Sequence, residues 1–278
     1  PVINSFVESD FSVVDSATRE VTPVVTNPSG DSFEDWSPDS KEILYTTNLN
    51  DTLSNFYTNS KLFALNLDTK ATRQLAKNLD EDLGGFSWES TGIFGAIWNR
   101  TQRPLYRIDP VSGDFAVVKT SPHQFQGLSF SRDGQTLAFT GRNGDELTEV
   151  YRTSLNGSAE RVSQMNEQIS EWKVAQSEVI SWKSKDGATI EGVLHKPKNY
   201  DPSKKYPLLI VIHGGPTGID APTPVPGGVY PIVQWLDKGC LVLRPNYRGS
   251  AGYGEAFRSL NVKNLGVGDM WDVMSGVE

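Results

Sequence analysis

At 278 residues the chain exceeds the usual size of one domain, so two are expected, and 37 % hydrophobic residues with seven Trp and twelve Phe suffice for substantial cores. A net charge of −8 with scattered Lys and Arg excludes a nucleic-acid binder, because no basic cluster is present to neutralise phosphates. Cys240, the only cysteine, rules out an intrachain disulfide and a cysteine-built metal site, and inside an apolar run it reads as a core residue.

No apolar run reaches the length of a membrane span, and residues 1–20 lack a basic start followed by a hydrophobic stretch, so no membrane partner is expected. The chain begins at Pro1 without a Met. A cytoplasmic location is expected, with export left open because an N-terminal segment is read as missing.

Residues 1 to about 175 carry a weak internal repeat. Its units begin Phe33-Glu34-Asp35-Trp36-Ser37-Pro38-Asp39, Phe86-Ser87-Trp88-Glu89-Ser90 and Leu128-Ser129-Phe130-Ser131-Arg132-Asp133-Gly134. Each is an aromatic residue, a polar turn and a strand, at 43–46, 93–97 and 137–140, with a second strand at 61–67, 104–108 and 149–152. An Asn/Thr/Ser-rich insert at 47–60 lengthens the first unit, and Asp68-Thr69, Ser112-Gly113-Asp114 and Asn156-Gly157 mark later turns. Short strands at roughly 40 to 50 residues per unit are the signature of a β-propeller, with a β-sandwich as the alternative. Three blades are expected, and residues 1–30 read as the tail of an earlier one. The ring is therefore open as given, and truncation at the N-terminus is expected. Trp36, Trp88 and Phe130 are expected in the core, and the acidic run Asp80-Glu81-Asp82 at the surface.

After Trp172 the pattern changes. Residues 177–183 and 189–195 alternate apolar and polar around Lys185-Asp186-Gly187, which predicts a hairpin. Residues 208–212 are apolar without alternation, as in a strand covered on both faces, and break into His213-Gly214-Gly215-Pro216. A Pro/Gly-rich loop at 217–228, a helix at 231–238, a strand at 240–243, a glycine-rich loop at 244–254 and helices at 255–260 and 268–277 follow. Two glycines at a strand's carboxyl end let the backbone approach a ligand with its N–H groups, and a loop of this kind supplies an oxyanion donor in α/β-hydrolases. This order opens an α/β-hydrolase sheet that is cut off after its fourth strand.

A β-propeller followed by His213-Gly214-Gly215-Pro216, then Asn246-Tyr247-Arg248-Gly249-Ser250 and Gly252-Tyr253-Gly254, resembles the prolyl oligopeptidase family, in its acylaminoacyl-peptidase and dipeptidyl-peptidase-like branch. The segment 261–273 is similar to the one that precedes the nucleophile strand in that family. The resemblance implies a partial β-propeller at 1–175 and the N-terminal half of an α/β-hydrolase domain at 176–278. It further implies a serine peptidase acting on short peptides through an acyl-enzyme, without cofactor or metal. A homo-oligomer is compatible with it.

The resemblance places Gly215, supported by Gly214, at the oxyanion position. His213 stands where some relatives carry a donating tyrosine, and a role in orienting the loop is favoured over donation. Tyr247, Arg248 and Tyr253 are candidates for shaping the substrate site. No Gly-x-Ser-x-Gly elbow occurs in the chain, with Arg248-Gly249-Ser250-Ala251-Gly252 a near miss. His123, His195 and His213 all fall at or before the oxyanion loop, so none fits the place of the base in the order Ser, Asp or Glu, His. The triad is thus expected outside this chain. A non-catalytic peptide-binding scaffold and an esterase are the rival readings.

Overall fold

The computed structural model describes residues 9–49, 57–144, 146–155, 157–172, 174–227 and 230–278. Residues 50–56 of the insert, residues 1–8, Asn156 of the third unit's turn and Gly228 of the loop at 217–228 lie outside the described residues. A two-stranded sheet, β1 (Phe11–Val14) and β2 (Val21–Val25), comes first. Three four-stranded antiparallel meanders follow in chain order. They are β3 (Asp31–Trp36) to β6 (Thr72–Leu75) through β4 (Glu42–Thr47) and β5 (Lys61–Asn66), then β7 (Phe86–Glu89), β8 (Gly92–Ala96), β9 (Leu105–Ile108) and β10 (Phe115–Val117). The third comprises β11 (Gln124–Phe130), β12 (Leu137–Arg142), β13 (Glu149–Thr153) and β14 (Glu160–Arg161). No closed ring of sheets is formed among the described residues.

The repeat is visible as repeated hydrogen bonds. In the first unit Ser37 Oγ donates to Asp39 and accepts from Glu42 N–H; in the third, Ser131 Oγ donates to Asp133 and accepts from Thr136 N–H. Asn66 and Asp109 likewise each accept from two backbone N–H groups of the next turn, as Asx turns do. Such turns fix the strand register on both sides.

Leu44, Leu62, Leu75, Trp88, Ile93 and Ile108 pack between the first two meanders. Phe94, Leu105, Phe125, Leu137 and Phe139 pack between the second and third, where Phe139 stacks on Phe125 at 4.4 Å. Each such side chain contributes about 1.5–3 kcal/mol on burial. Trp88 is buried and Phe130 packs on Phe94, but Trp36 is 38 % exposed, contrary to the core expectation. A register shift between Phe33 and Asp35 displaces the end of β3, where Trp36 packs on Phe33, itself exposed.

The predicted hairpin is β15 (Gln176–Lys183) with β16 (Thr189–Lys196), paired Trp182 to Ile190. It belongs to a mixed sheet of order β15, β16, β18 (Leu241–Asn246), β17 (Leu208–Ile210), in which β17 and β18 are parallel and joined through α1 (Ile232–Asp237). Val242, Val211, Ile232 and Leu236 form its core, and Cys240 is buried. α2 (Gly254–Arg258) and α3 (Gly268–Val277) close the chain. β17 departs from the expectation of a fully covered strand: it lies at the sheet edge, with Leu208 39 % and Ile212 51 % exposed. None of the helices is long and apolar enough to cross a membrane, among the described residues.

Candidate functional site

The glycine turn follows β17 directly, after Val211 N–H has made the last ladder bond to Leu243 O at 2.9 Å. Gly215 has φ +129°, and a Cβ there would lie 2.9 Å from Thr217 N and 3.0 Å from Gly218 N. Only glycine fits that conformation and that approach. Gly214 and Gly215 are exposed, and the Gly215 N–H has no acceptor among the described residues. Gly218 is confined too, since a Cβ would meet His213 Nδ1 at 2.7 Å and Gly214 O at 2.8 Å.

His213 is half-buried, and its ring stacks on Tyr247 with centroids 4.6 Å apart. Tyr247 Oη donates to His213 O at 2.8 Å. His213 Nε2 lies 3.1 Å from Ser250 Oγ, and Nδ1 lies 3.2 Å from Gly214 O. Burial lowers the His213 pKa against the pull of the Gly214 carbonyl and Asp220, with Arg244 adding to the lowering. Burial also pushes the Tyr247 hydroxyl up to about 12. Asp220 is ion-paired with Arg244, yet burial still raises its carboxyl above the usual range.

The pairing of Ser250 with His213 does not make a nucleophile. Ser250 is fully buried, and its hydroxyl donates to Tyr247 O at 2.7 Å. An attacking serine needs a base to take that proton and an open approach to substrate. His195 is also fully buried, with its pKa pushed down to about 4 by burial and by Arg244.

Arg248 corrects its expected place in the substrate site. Its side chain is 2 % exposed and binds Asp272 through Nε and Nη2, Asp186 through Nη1 and Nη2, and Ser184 through Nη2. These charge-assisted bonds hold Asp186 at about 2. Backbone groups extend the knot: Arg248 N–H donates to Asp272, and Asn261 Nδ2 donates to Arg248 O at 2.7 Å. The guanidinium is thus spent on joining the β15–β16 turn to α3.

Tyr253 lines a cleft of about 300 Å³ with Asp80, Glu81, Asn99, Arg100 and Gly252, and accepts from Asn246 Nδ2. This cleft lies between the second meander and the loop after β18. Of the acidic run expected at the surface, Asp80 and Asp82 are exposed and Glu81 is half-buried at that junction: Asp80 accepts from Glu255 N–H, Asp82 pairs with Arg258, and burial pushes Glu81 up to about 7 against a bond from Gly254 N–H. A second cleft of about 370 Å³, lined by Ile212, Tyr247, Met270, Val273 and Met274, is apolar and opens beside the glycine turn. Among the described residues no group of three or more His, Cys, Asp or Glu is placed to hold a metal. Sequence reasoning missed Gly218, Asp272 and the contact of Ser250 with His213. Nothing in their local patterns marks them, because each acts on a partner at least five residues away in the chain.

The model of the prolyl oligopeptidase family matches residues 229–278, which contain the Asn-Tyr-Arg-Gly-Ser loop after β18. The chain is 25 % identical over 222 residues to the uncharacterized peptidase YuxL of Bacillus subtilis (strain 168), covering 76 % of this chain and 33 % of that one. To dipeptidyl-peptidase 5 of Porphyromonas gingivalis it is 22 % identical over 258 residues, covering 89 % and 36 %. The fold is shared with an acylaminoacyl peptidase of Pyrococcus horikoshii at TM-score 0.78 and 19 % identity, over 98 % of this chain and 41 % of that one. The chain thus spans about a third of the length of these curated relatives.

Proposed function

We propose that the chain is part of a serine peptidase that cleaves short peptides through an acyl-enzyme. In this reading residues 1–175 are blades of a β-propeller and residues 176–278 open an α/β-hydrolase domain. The observation that carries it is the exposed Gly214-Gly215 turn at the carboxyl end of β17, whose Gly215 N–H has no acceptor among the described residues. Such a donor stabilises the tetrahedral oxyanion and contributes roughly 3 kcal/mol in the transition state. Tyr247 supports the turn. Tyr253 belongs to the junction with the repeat, along which peptides would reach the turn.

The nucleophile, acid and base belong to sequence outside these 278 residues, since the chain holds no Gly-x-Ser-x-Gly elbow. Fluorophosphonate labelling tests the reading. The intact enzyme should be labelled on one serine and should hydrolyse aminoacyl or acylaminoacyl anilides faster than short acyl esters. The 278-residue chain should remain unlabelled. Stoichiometric labelling of Ser250 in this chain would refute the assignment.

A further inference from the structure

We propose that Asn246 is a positioning residue that holds the segment behind the Gly214-Gly215 turn, and that Tyr253 and Glu191 register this hold against the second meander; the consequence for catalysis rests on the oxyanion reading above. Asn246 ends β18 and is fully buried. Its Oδ1 accepts from Asp220 N–H at 2.7 Å, and its Nδ2 donates to Asp220 O at 2.9 Å. The carboxamide thus binds one residue of the loop through both of its main-chain groups, as a neighbouring strand would. Its orientation is fixed, because a flipped amide would set donor against donor and acceptor against acceptor.

Close packing couples Asp220 to the turn. Two residues before it, Gly218 stands so near the start of the turn that a Cβ would meet His213 Nδ1 at 2.7 Å and Gly214 O at 2.8 Å, while a Cβ on Gly215 would meet Thr217 N and Gly218 N. Ile219 is packed on Gly252, its Cδ1 3.1 Å from where a Cβ would stand. The second proton of Asn246 Nδ2 goes to Tyr253 Oη at 3.1 Å, so that oxygen accepts and keeps its own proton to donate. Glu191 receives it: burial and then the Glu191 charge raise the Tyr253 pKa, and the bond to Glu191 adds to the rise. Glu191 is in turn ion-paired with Arg100 of the second meander, whose backbone N–H donates to Gly252 O. From Arg100 to Asp220 every link is a hydrogen bond or an ion pair, and the far end is the loop that packs on Gly214 and Gly215.

The test is amide hydrogen exchange and steady-state kinetics on the intact peptidase. In Asn246→Ala the amides of residues 217–221 should exchange about tenfold faster, because the loop opens locally once both bonds to Asp220 are gone. Its kcat should fall about tenfold with KM within about twofold, as expected when a group that acts in the transition state is misplaced. Tyr253→Phe removes one oxygen and spares both bonds to Asp220; it should move exchange and kcat the same way by about threefold. Lys61→Met cuts a different bridge of the junction, to Glu255, and should leave both at wild type. Wild-type exchange at 217–221 in either Asn246→Ala or Tyr253→Phe overturns the proposal. Equal acceleration in Lys61→Met, a general loosening of the junction, overturns it too, as does a raised KM with wild-type kcat in Tyr253→Phe, which would put that hydroxyl on the substrate. If Asn246→Ala does not fold, Tyr253→Phe carries the test. Faster exchange with wild-type kcat in Asn246→Ala, while Gly215→Val lowers kcat, overturns the catalytic consequence. If Gly215→Val also leaves kcat unchanged, the oxyanion reading itself fails, and exchange alone decides whether Asn246 holds the turn.

Discussion

Gly215 is the residue where backbone conformation and proposed chemistry meet. Its φ of +129° and the 2.9 Å approach to Thr217 N leave no room for a side chain. Gly215→Val should therefore lower kcat of the intact enzyme by roughly 10²-fold or more with little change in KM, because an oxyanion donor acts chiefly in the transition state. A folded variant with wild-type kcat would rule the role out. His213 presents the opposite case, since Nε2 is taken up by Ser250 and the ring is stacked on Tyr247. His213→Phe should cost at most about tenfold in kcat, against ~10²–10³ for a lost oxyanion donor. Steady-state kinetics at matched thermal stability distinguish the two.

At the scale of elements, Arg248 ties the loop after β18 to α3 and to the β15–β16 turn through Asp272 and Asp186. Arg248 and Asp272 are both almost wholly removed from solvent. Cutting one partner from such a pair leaves an uncompensated buried charge, so Arg248→Ala should lower the unfolding free energy by about 3–5 kcal/mol, measured by urea denaturation. Loss of less than about 1 kcal/mol would show that the loop is held by other means.

Across the whole molecule, the repeat and the mixed sheet meet through side chains far apart in sequence. Glu255 accepts from Asn59 N–H and pairs with Lys61; Arg258 binds Asn59 and Asp82; Arg100 pairs with Glu191. Glu81 is half-buried at this junction, with its carboxyl pushed up to about 7 from 4.5 by burial, aided by Asp80 and Asp82. A carboxyl whose pKa is higher folded than unfolded binds more protons in the folded state. Its stabilising contribution is complete below about pH 4.5 and is lost as pH rises through about 7. Denaturant midpoints should thus fall between pH 5 and 8, and Glu81→Gln should flatten that slope. An equally steep slope in the variant would place the titration elsewhere.

Strands, turns and the glycine motif were legible locally, because side-chain alternation, Asx turns and Gly-Gly breaks are encoded within a few residues. The hairpin at 176–196, α1 and α3 lie where the sequence predicts them. Apolar content alone misplaced β17, whose neighbours, not its composition, decide which faces are covered. Trp36 was misplaced for the same reason, since burial of an aromatic depends on what packs over it. Arg248 looks like a site residue in the chain and becomes a buried knot only when Asp186 and Asp272, 62 and 24 residues away, are brought to it. By itself the sequence determined the elements and the turn that Gly215 must occupy. Tertiary structure alone decided which charges are neutralised and that His213 is stacked on Tyr247 and held against Ser250, because those depend on partners that only folding supplies.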